Sequence, residues 1–294
     1  MTPDSRLPDV TVALRYAPPY DWRSMIAFLK ERAICGVEAV DEDAYRRTIL
    51  INGGTGTLYV RPGARDALEV AVRFPDPAHV PLILDRVGRV FDLAGDPAAV
   101  AAHLCADPAL EPLVRLRPGL RVPGGFDGLE LAIRAVLGQQ VSVAAAARLA
   151  GKLVLAHGLP LKYPEPGLTH AFPPAEALVG ADFAALGMPR SRAAALAALV
   201  EASLEDASLF QPRASLAEAV RRLRQIRGIG EWTAQYVALR LLREPDAFPA
   251  ADVALLRAME RLRAGPWTAK TLLERSESWR PFRANAAQYL WTAA

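Results

Sequence analysis

The chain has 294 residues, 52% of them hydrophobic and 23% charged, which is the composition of a globular protein with ample core material and excludes a disordered or collagen-like chain. At about 100–200 residues per domain, this length calls for two or three domains. Net charge is +3 but uneven: residues 211–294 hold 14 Lys and Arg against 8 Asp and Glu, whereas residues 1–210 sum to −3, so a polyanion would dock at the C-terminal end.

No apolar stretch approaches the roughly 20 residues that span a bilayer, and MTPDSRLPDV has Pro and Asp where a signal peptide has an apolar run. The reading is a cytoplasmic monomer with no membrane partner. Two cysteines, Cys35 and Cys105, cannot build the four-thiolate cage of a zinc site or an iron–sulfur cluster, so a cofactor of that kind is excluded unless another chain helps, and no cofactor is expected. Both are expected to be reduced core residues. Nearly all the positive charge is arginine, suited to bidentate phosphate contacts.

Residues 10–93 mix two periodicities. VTVALRY, YRRTIL and GTLYVRP read as strands, with a turn at Asn52-Gly53-Gly54 that needs positive φ. DWRSMIAFLKERAI has helical spacing, with Trp22, Met25, Ile26 and Leu29 on one face and Asp21 as N-cap; HVPLILDRVGRVFDL supplies a second helix. This is an α+β unit, a small antiparallel sheet with two helices. From about residue 94 the strand signals stop. Ala-rich segments punctuated by Gly and Pro predict helices over 96–106, 108–116, 127–137, 141–157, 174–180, 181–186, 189–203, 214–226, 231–243, 252–263, 266–277 and 279–291. The Pro-rich LKYPEPGLTHAFPP reads as a surface connection. The fold class is therefore an α+β domain followed by an all-α body.

The chemistry concentrates in LRQIRGIGEWTAQYVALR, residues 223–240. A helix ends near Ile226, Gly228 and Gly230 make a tight turn, and a second helix opens near Glu231 with Ala234, Val237, Ala238 and Leu239 as its apolar face. Such a helix-hairpin-helix suits anion binding, because its glycines admit a phosphate close to the backbone and the N–H groups of the new helix point at it. An ordinary Gly-capped turn accounts for one glycine; two of them flanking Ile229 before Glu-Trp-Thr favour DNA. Downstream, Asp252 stands directly before the apolar-periodic VALLRAMERL, where an Asp is commonly an N-cap. That position also holds a carboxylate at the positive end of a helix dipole. Trp232 and Tyr236, at i and i+4, read as two sides of an aromatic slot.

These residues resemble the helix-hairpin-helix glycosylases of base-excision repair, and among them the bacterial 3-methyladenine DNA glycosylase II group. Four segments carry the likeness in the family's order, PPYDWRSMIAFLKERA, RPGLRVPGGFDGLELAIRAVLGQQVSVAAAARL, IRGIGEWTAQYVALR and WRPFRANAAQYLW, spanning residues 18 to 291. The resemblance implies an N-terminal α+β domain (1–93) and two helical domains (128–244, and 94–127 with 245–294) facing across an active-site cleft. It implies that Asp252, following Phe248-Pro249, is the catalytic carboxylate. Beside a stretching glycosidic bond, an anion stabilises the oxocarbenium-like sugar or orients the attacking water.

The resemblance further implies that Phe28 and Trp291 join Trp232 and Tyr236 in the base pocket, and that Arg227, Gly228, Ile229, Gly230 and Thr233 form the DNA-binding hairpin. Gln140, with Gln139 beside it, matches the side chain that fills the gap left by a flipped base; a plain Gly-Gln-Gln connection capped by Ser142 is the competing reading. The family's hairpin can also hold a monovalent cation on backbone carbonyls. Arg227 replaces a usual proline, and Thr292 stands where a relative has tyrosine. Where lyase members place a lysine, this chain has Trp232, and its four lysines, Lys30, Lys152, Lys162 and Lys270, lie elsewhere. The expectation is thus a monofunctional glycosylase acting on duplex DNA that contains alkylated bases. A π-walled slot suits N3- or N7-alkylated purines, which are cationic and leave readily. A catalytically silent DNA-binding scaffold is the alternative, opposed by the carboxylate and the aromatics together.

Overall fold

The computed structural model describes residues 9–263 and 265–293; most of the N-terminal stretch on which the signal-peptide reading rests lies outside them. The chain opens with β1 (Asp9–Arg15), α1 (Trp22–Arg32), β2 (Glu38–Val40), β3 (Tyr45–Ile51), β4 (Gly54–Pro62), β5 (Ala67–Arg73) and α2 (Val80–Val90). The strands form one antiparallel sheet in the order β1-β5-β4-β3-β2. Asn52 and Gly53 adopt φ of 48° and 78° and close the β3–β4 hairpin as expected. Two strands of this sheet escaped the sequence reading: β5, and the three-residue β2. Asp21 caps α1 by accepting from Ser24 N at 2.9 Å. Met25, Ile26 and Leu29 of α1 and Ile83, Val87 and Val90 of α2 share a buried core with the sheet.

The remainder is the expected helical body: α3 (Pro97–Leu104), α4 (Glu111–Leu116), α5 (Gly128–Leu137), α6 (Val143–His157), then β6 (Leu159–Glu165), β7 (Leu168–Ala171), α7 (Arg190–Glu205), α8 (Leu216–Leu223), α9 (Glu231–Val237), α10 (Val253–Leu262), α11 (Ala269–Ser276) and α12 (Arg283–Trp291). Among the described residues no helix is long and apolar enough to cross a membrane. α5 is the central helix, with Leu129, Leu131, Ala132, Ile133, Ala135, Val136 and Leu137 all buried. A single core runs from Ile34 to Leu290 and is continuous through the helical body.

Several expectations need correction. The stretch taken as a surface connection is an irregular antiparallel ribbon, β6–β7, whose pairing shifts register between Pro160 and Glu165. Prolines at 160, 164 and 166 cannot donate to a ladder, which hid the strand signal and confines the ribbon to an edge. It is tethered by Thr169 and His170 N–H groups donating to the Gly36 carbonyl. The helices expected over 174–180 and 181–186 are single 3₁₀ turns, Ala175–Leu178 and Phe183–Leu186, too short for an α-helix to propagate. The last expected helix, 279–291, is a 3₁₀ turn, Glu277–Trp279, followed by α12 after Pro281, which cannot continue a helix. α8 stops at Leu223 rather than Ile226. Both cysteines are free; Cys105 is half-buried against the helical core, whereas Cys35 is exposed and is not a core residue.

The sheet and the helical body meet at a buried ion cluster. Glu130 on α5 accepts from Arg47 Nη2 of β3 at 2.6 Å and from Arg134 Nη1 at 2.8 Å, and Arg134 also donates to Glu38 of β2 at 2.9 Å. Glu38 accepts in addition from Tyr45 Oη at 2.6 Å and from Ile34 N at 2.9 Å. Burial alone would push the Glu130 carboxyl up, but Arg47 and Arg134 outweigh it and hold the group below its usual value. A glutamate depressed in this way adds stability above its unfolded-state pKa and loses it as pH falls through the folded one. Glu130→Gln is therefore expected to lower the unfolding free energy in urea by about 3–5 kcal/mol at neutral pH, with the gap to wild type narrowing as the solution is acidified.

Candidate active site

A cleft of about 1240 Å³ opens between α1, the α5–α6 turn, the start of α9, the start of α10 and the end of α12, and Phe28, Gln140, Trp232, Tyr236, Asp252 and Trp291 all line it. Asp252 caps α10 as the sequence suggested: its Oδ1 accepts from Ala254 N at 2.9 Å and Leu255 N at 3.1 Å. Two indoles complete its shell, Trp291 Nε1 donating to Oδ1 at 3.1 Å and Trp232 Nε1 to Oδ2 at 2.8 Å. Both oxygens are thus fixed by N–H donors at the edge of an aromatic wall. The approach to Asp252 is anchored by Phe248, which is buried edge-on to Trp279, and by its N–H donating to Gln235 Oε1 at 3.0 Å.

The aromatics are arranged differently from a two-sided slot. Trp232 and Tyr236 stack on each other, with centroids 5.2 Å apart and planes 15° from parallel, so they form one wall. Trp291 meets Tyr236 edge-on at 6.2 Å and 68°. Phe28 stands under two guanidinium groups, Arg32 at 3.9 Å from its centroid and Arg240 at 4.5 Å. Burial would push the Tyr236 phenol up, yet Arg240, Arg32 and Arg134 together bring it below its ordinary value.

Arg240 and Arg32 went unnoticed in the sequence. The signal for Arg240 was present, since it continues the i, i+4 spacing of Trp232 and Tyr236 by another step of four. The α-helix, however, passes at Ala238 into a π-helical turn that ends at Leu242.

The hairpin residues divide. Arg227, Gly228 and Gly230 are exposed, whereas Ile229 and Thr233 are buried, so those two support the hairpin from within. Gly228 has φ +87°, and a Cβ there would lie 2.3 Å from the Ala195 Cβ of α7. Gly230 caps α9 without a side-chain acceptor, and a Cβ there would meet nothing within 4 Å. The first N–H groups of α9 therefore face an open approach. Gln139 is not free beside Gln140: its Nε2 donates to the Gly228 carbonyl at 3.1 Å and to Thr233 Oγ1 at 3.0 Å, while its own carbonyl accepts from Arg192. Gln140 is exposed at φ +56°, a backbone region costly for a residue with a side chain.

In the hairpin the Ile226 carbonyl accepts from Ile229 N at 3.1 Å and the Gly228 carbonyl from Gln139 Nε2 at 3.1 Å.

Residues 11–127 match the family model of the AlkA N-terminal domain, and residues 133–283 match that of the HhH-GPD superfamily base excision DNA repair protein. The chain belongs to the HhH-GPD superfamily of base-excision DNA repair proteins. It is 34% identical over 283 residues to DNA-3-methyladenine glycosylase 2 of Escherichia coli (strain K12), covering 95% of each chain. It is 38% identical over 284 residues to the probable bifunctional transcriptional activator/DNA repair enzyme AlkA of Mycobacterium tuberculosis, covering 96% of this chain and 57% of that one, so it spans little more than half the length of that curated relative. In fold it is similar to the 3-methyladenine DNA-glycosylase from Archaeoglobus fulgidus, with a TM-score of 0.82 at 23% identity over 96% of this chain and 97% of that one.

The two hairpin glycines separate experimentally. Gly228→Ala is expected to lower stability by about 1–3 kcal/mol through overpacking and strain, whereas Gly230→Ala leaves the thermal midpoint close to wild type; a melting series on both variants checks this.

Proposed function

We propose that the protein is a monofunctional DNA glycosylase that hydrolyses the N-glycosidic bond of alkylated purines, of the 3-methyladenine and 7-methylguanine type, in duplex DNA. The reading is supported by family membership and by the name of the Escherichia coli relative. One observation in the site carries it: a carboxylate, Asp252, held by two backbone and two indole N–H groups at the edge of an aromatic cleft. In this reading the protein acts as a monomer. Its parts are an N-terminal domain (1–93) and two helical portions (128–244, and 94–127 with 245–294) that face across the cleft.

The open backbone at Gly230 and the uncapped start of α9 would take a phosphate, with Arg227 beside them. Gln140 would occupy the space vacated in the stack, with Gln139 supporting it from the hairpin. The extruded base would lie against the Trp232–Tyr236 wall and Trp291, which brings its C1′ to Asp252. As the bond to the base lengthens, positive charge grows on the sugar, and the fixed carboxylate stabilises it without reorganising. A water then adds to C1′. Trp232 offers the sugar no amine, and among the described residues the cleft lining contains no lysine, so a Schiff base and strand cleavage have no source here.

Two outcomes test this reading. Asp252→Asn keeps the volume and removes the charge; base release from methylated duplex should fall by about 10²–10³ or more, with DNA affinity retained in a gel-shift titration. Near-wild-type release by that variant would overturn the assignment of Asp252, and a wild-type protein that binds but releases no base would be the scaffold. Lesion-bearing duplex should break only after alkali, and borohydride present during turnover should trap no protein–DNA adduct; breaks without alkali would sink the monofunctional reading.

A further inference from the structure

Arg240 is 2% exposed, and no carboxylate forms an ion pair with it among the described residues. Its Nη1 donates to the Pro123 carbonyl at 3.0 Å, the Tyr236 phenol is within hydrogen-bonding reach, and its Nε is buried without a partner. Around the guanidinium stand three rings, Phe28 at 4.5 Å, Trp291 at 4.8 Å and Tyr236 at 5.5 Å. The charged groups facing it are Arg32 from α1 and Arg243, both positive, with the Tyr236 phenol the nearby acid. Burial pulls the guanidinium down to about 10, so it remains cationic at neutral pH. A buried cation with no carboxylate partner is rare and costly, and this one lines the cleft.

The aromatic faces that would welcome a cationic base thus already serve a resident cation. A second positive charge placed in the same low-dielectric cleft is repelled. An uncharged base is affected in the opposite sense. When it leaves, the C1′–N9 bond breaks with its electron pair on the base, water oxygen bonds C1′, and the water's proton ends on the base. Until that proton arrives the base is anionic, and a nearby guanidinium stabilises it. A cationic base leaves neutral, with the water's proton going to solvent, and gains nothing from the cation.

Resting on the glycosylase reading above, we infer that Arg240 is a specificity-determining residue, a fixed cation at the floor of the base pocket that extends excision to uncharged modified purines at the expense of cationic ones.

The test measures single-turnover release from two duplexes of one sequence, carrying either hypoxanthine, which is neutral, or 7-methylguanine, which is cationic. Wild type should release both. Arg240→Met and Arg240→Gln should each lower the hypoxanthine-to-7-methylguanine rate ratio by about 10², the effect of losing one preorganised charge-stabilising group, with 7-methylguanine release rising. At mildly acidic pH, where a buried amine carries its charge, Arg240→Lys should keep a higher ratio than Arg240→Gln. An unchanged ratio in whichever neutral variant folds overturns the inference, as does a Lys variant no better than Gln, or a wild type that releases 7-methylguanine but no hypoxanthine. Failure of wild type to release 7-methylguanine is a different result and would sink the glycosylase reading itself.

Discussion

Two carboxylates and two guanidiniums where β2 and β3 meet α5, all buried but Arg134, which is 20% exposed, decide how the two halves of this chain sit together. Removing any one member would strand charge in an apolar interface, so the cluster tolerates only one arrangement of sheet and helix. Its reach extends to the cleft, because Arg134 also donates to the Arg32 carbonyl at the end of α1. The helix that carries Phe28 and Arg32 is thereby held against the α5–α6 region. Without that restraint the α1 wall of the cleft would be free to shift against the α5–α6 wall.

Within the cleft the electrostatics are layered. Asp252 supplies negative charge at the rim, held by the start of α10 and by two indoles. Arg240, 2% exposed, supplies positive charge deep in the cleft, with no carboxylate ion-paired to it among the described residues. Trp291 touches both, its Nε1 donating to Asp252 and its ring facing the Arg240 guanidinium at 4.8 Å. The two indole N–H groups that orient the carboxylate belong to rings of the cleft wall, so in the proposed function the same residues would serve both the base and the sugar. A substitution at Trp232 or Trp291 therefore disturbs both stacking and the carboxylate's geometry, and these effects cannot be read as stacking alone.

The two hairpin glycines are required for different reasons. Gly228 is fixed by its positive φ and by the contact with Ala195, a packing requirement, whereas Gly230 is needed for the open space outside it. In a sequence string the two are indistinguishable. Gln139 and Gln140 divide in a similar way, one bonded to the hairpin and the other exposed on a strained backbone.

The sequence by itself determined what depends on local order: the helical spacings, the Asp21 and Asp252 caps, the Asn52-Gly53 turn, the Gly228–Gly230 hairpin and the α+β-then-helical plan. Each of these is set by residues within a turn or two of one another. The tertiary structure alone decided what depends on groups far apart in the chain. It brought Trp232 and Trp291 to the same carboxylate, 20 and 39 residues from Asp252. It stacked Trp232 on Tyr236 rather than leaving a slot, joined two proline-interrupted segments into a ribbon against Gly36, and enclosed Arg240 in three rings drawn from α1, α9 and α12. An arginine in an Ala-rich helix reads as surface until packing buries it, because burial belongs to the whole fold and leaves no local mark on the residue that bears it.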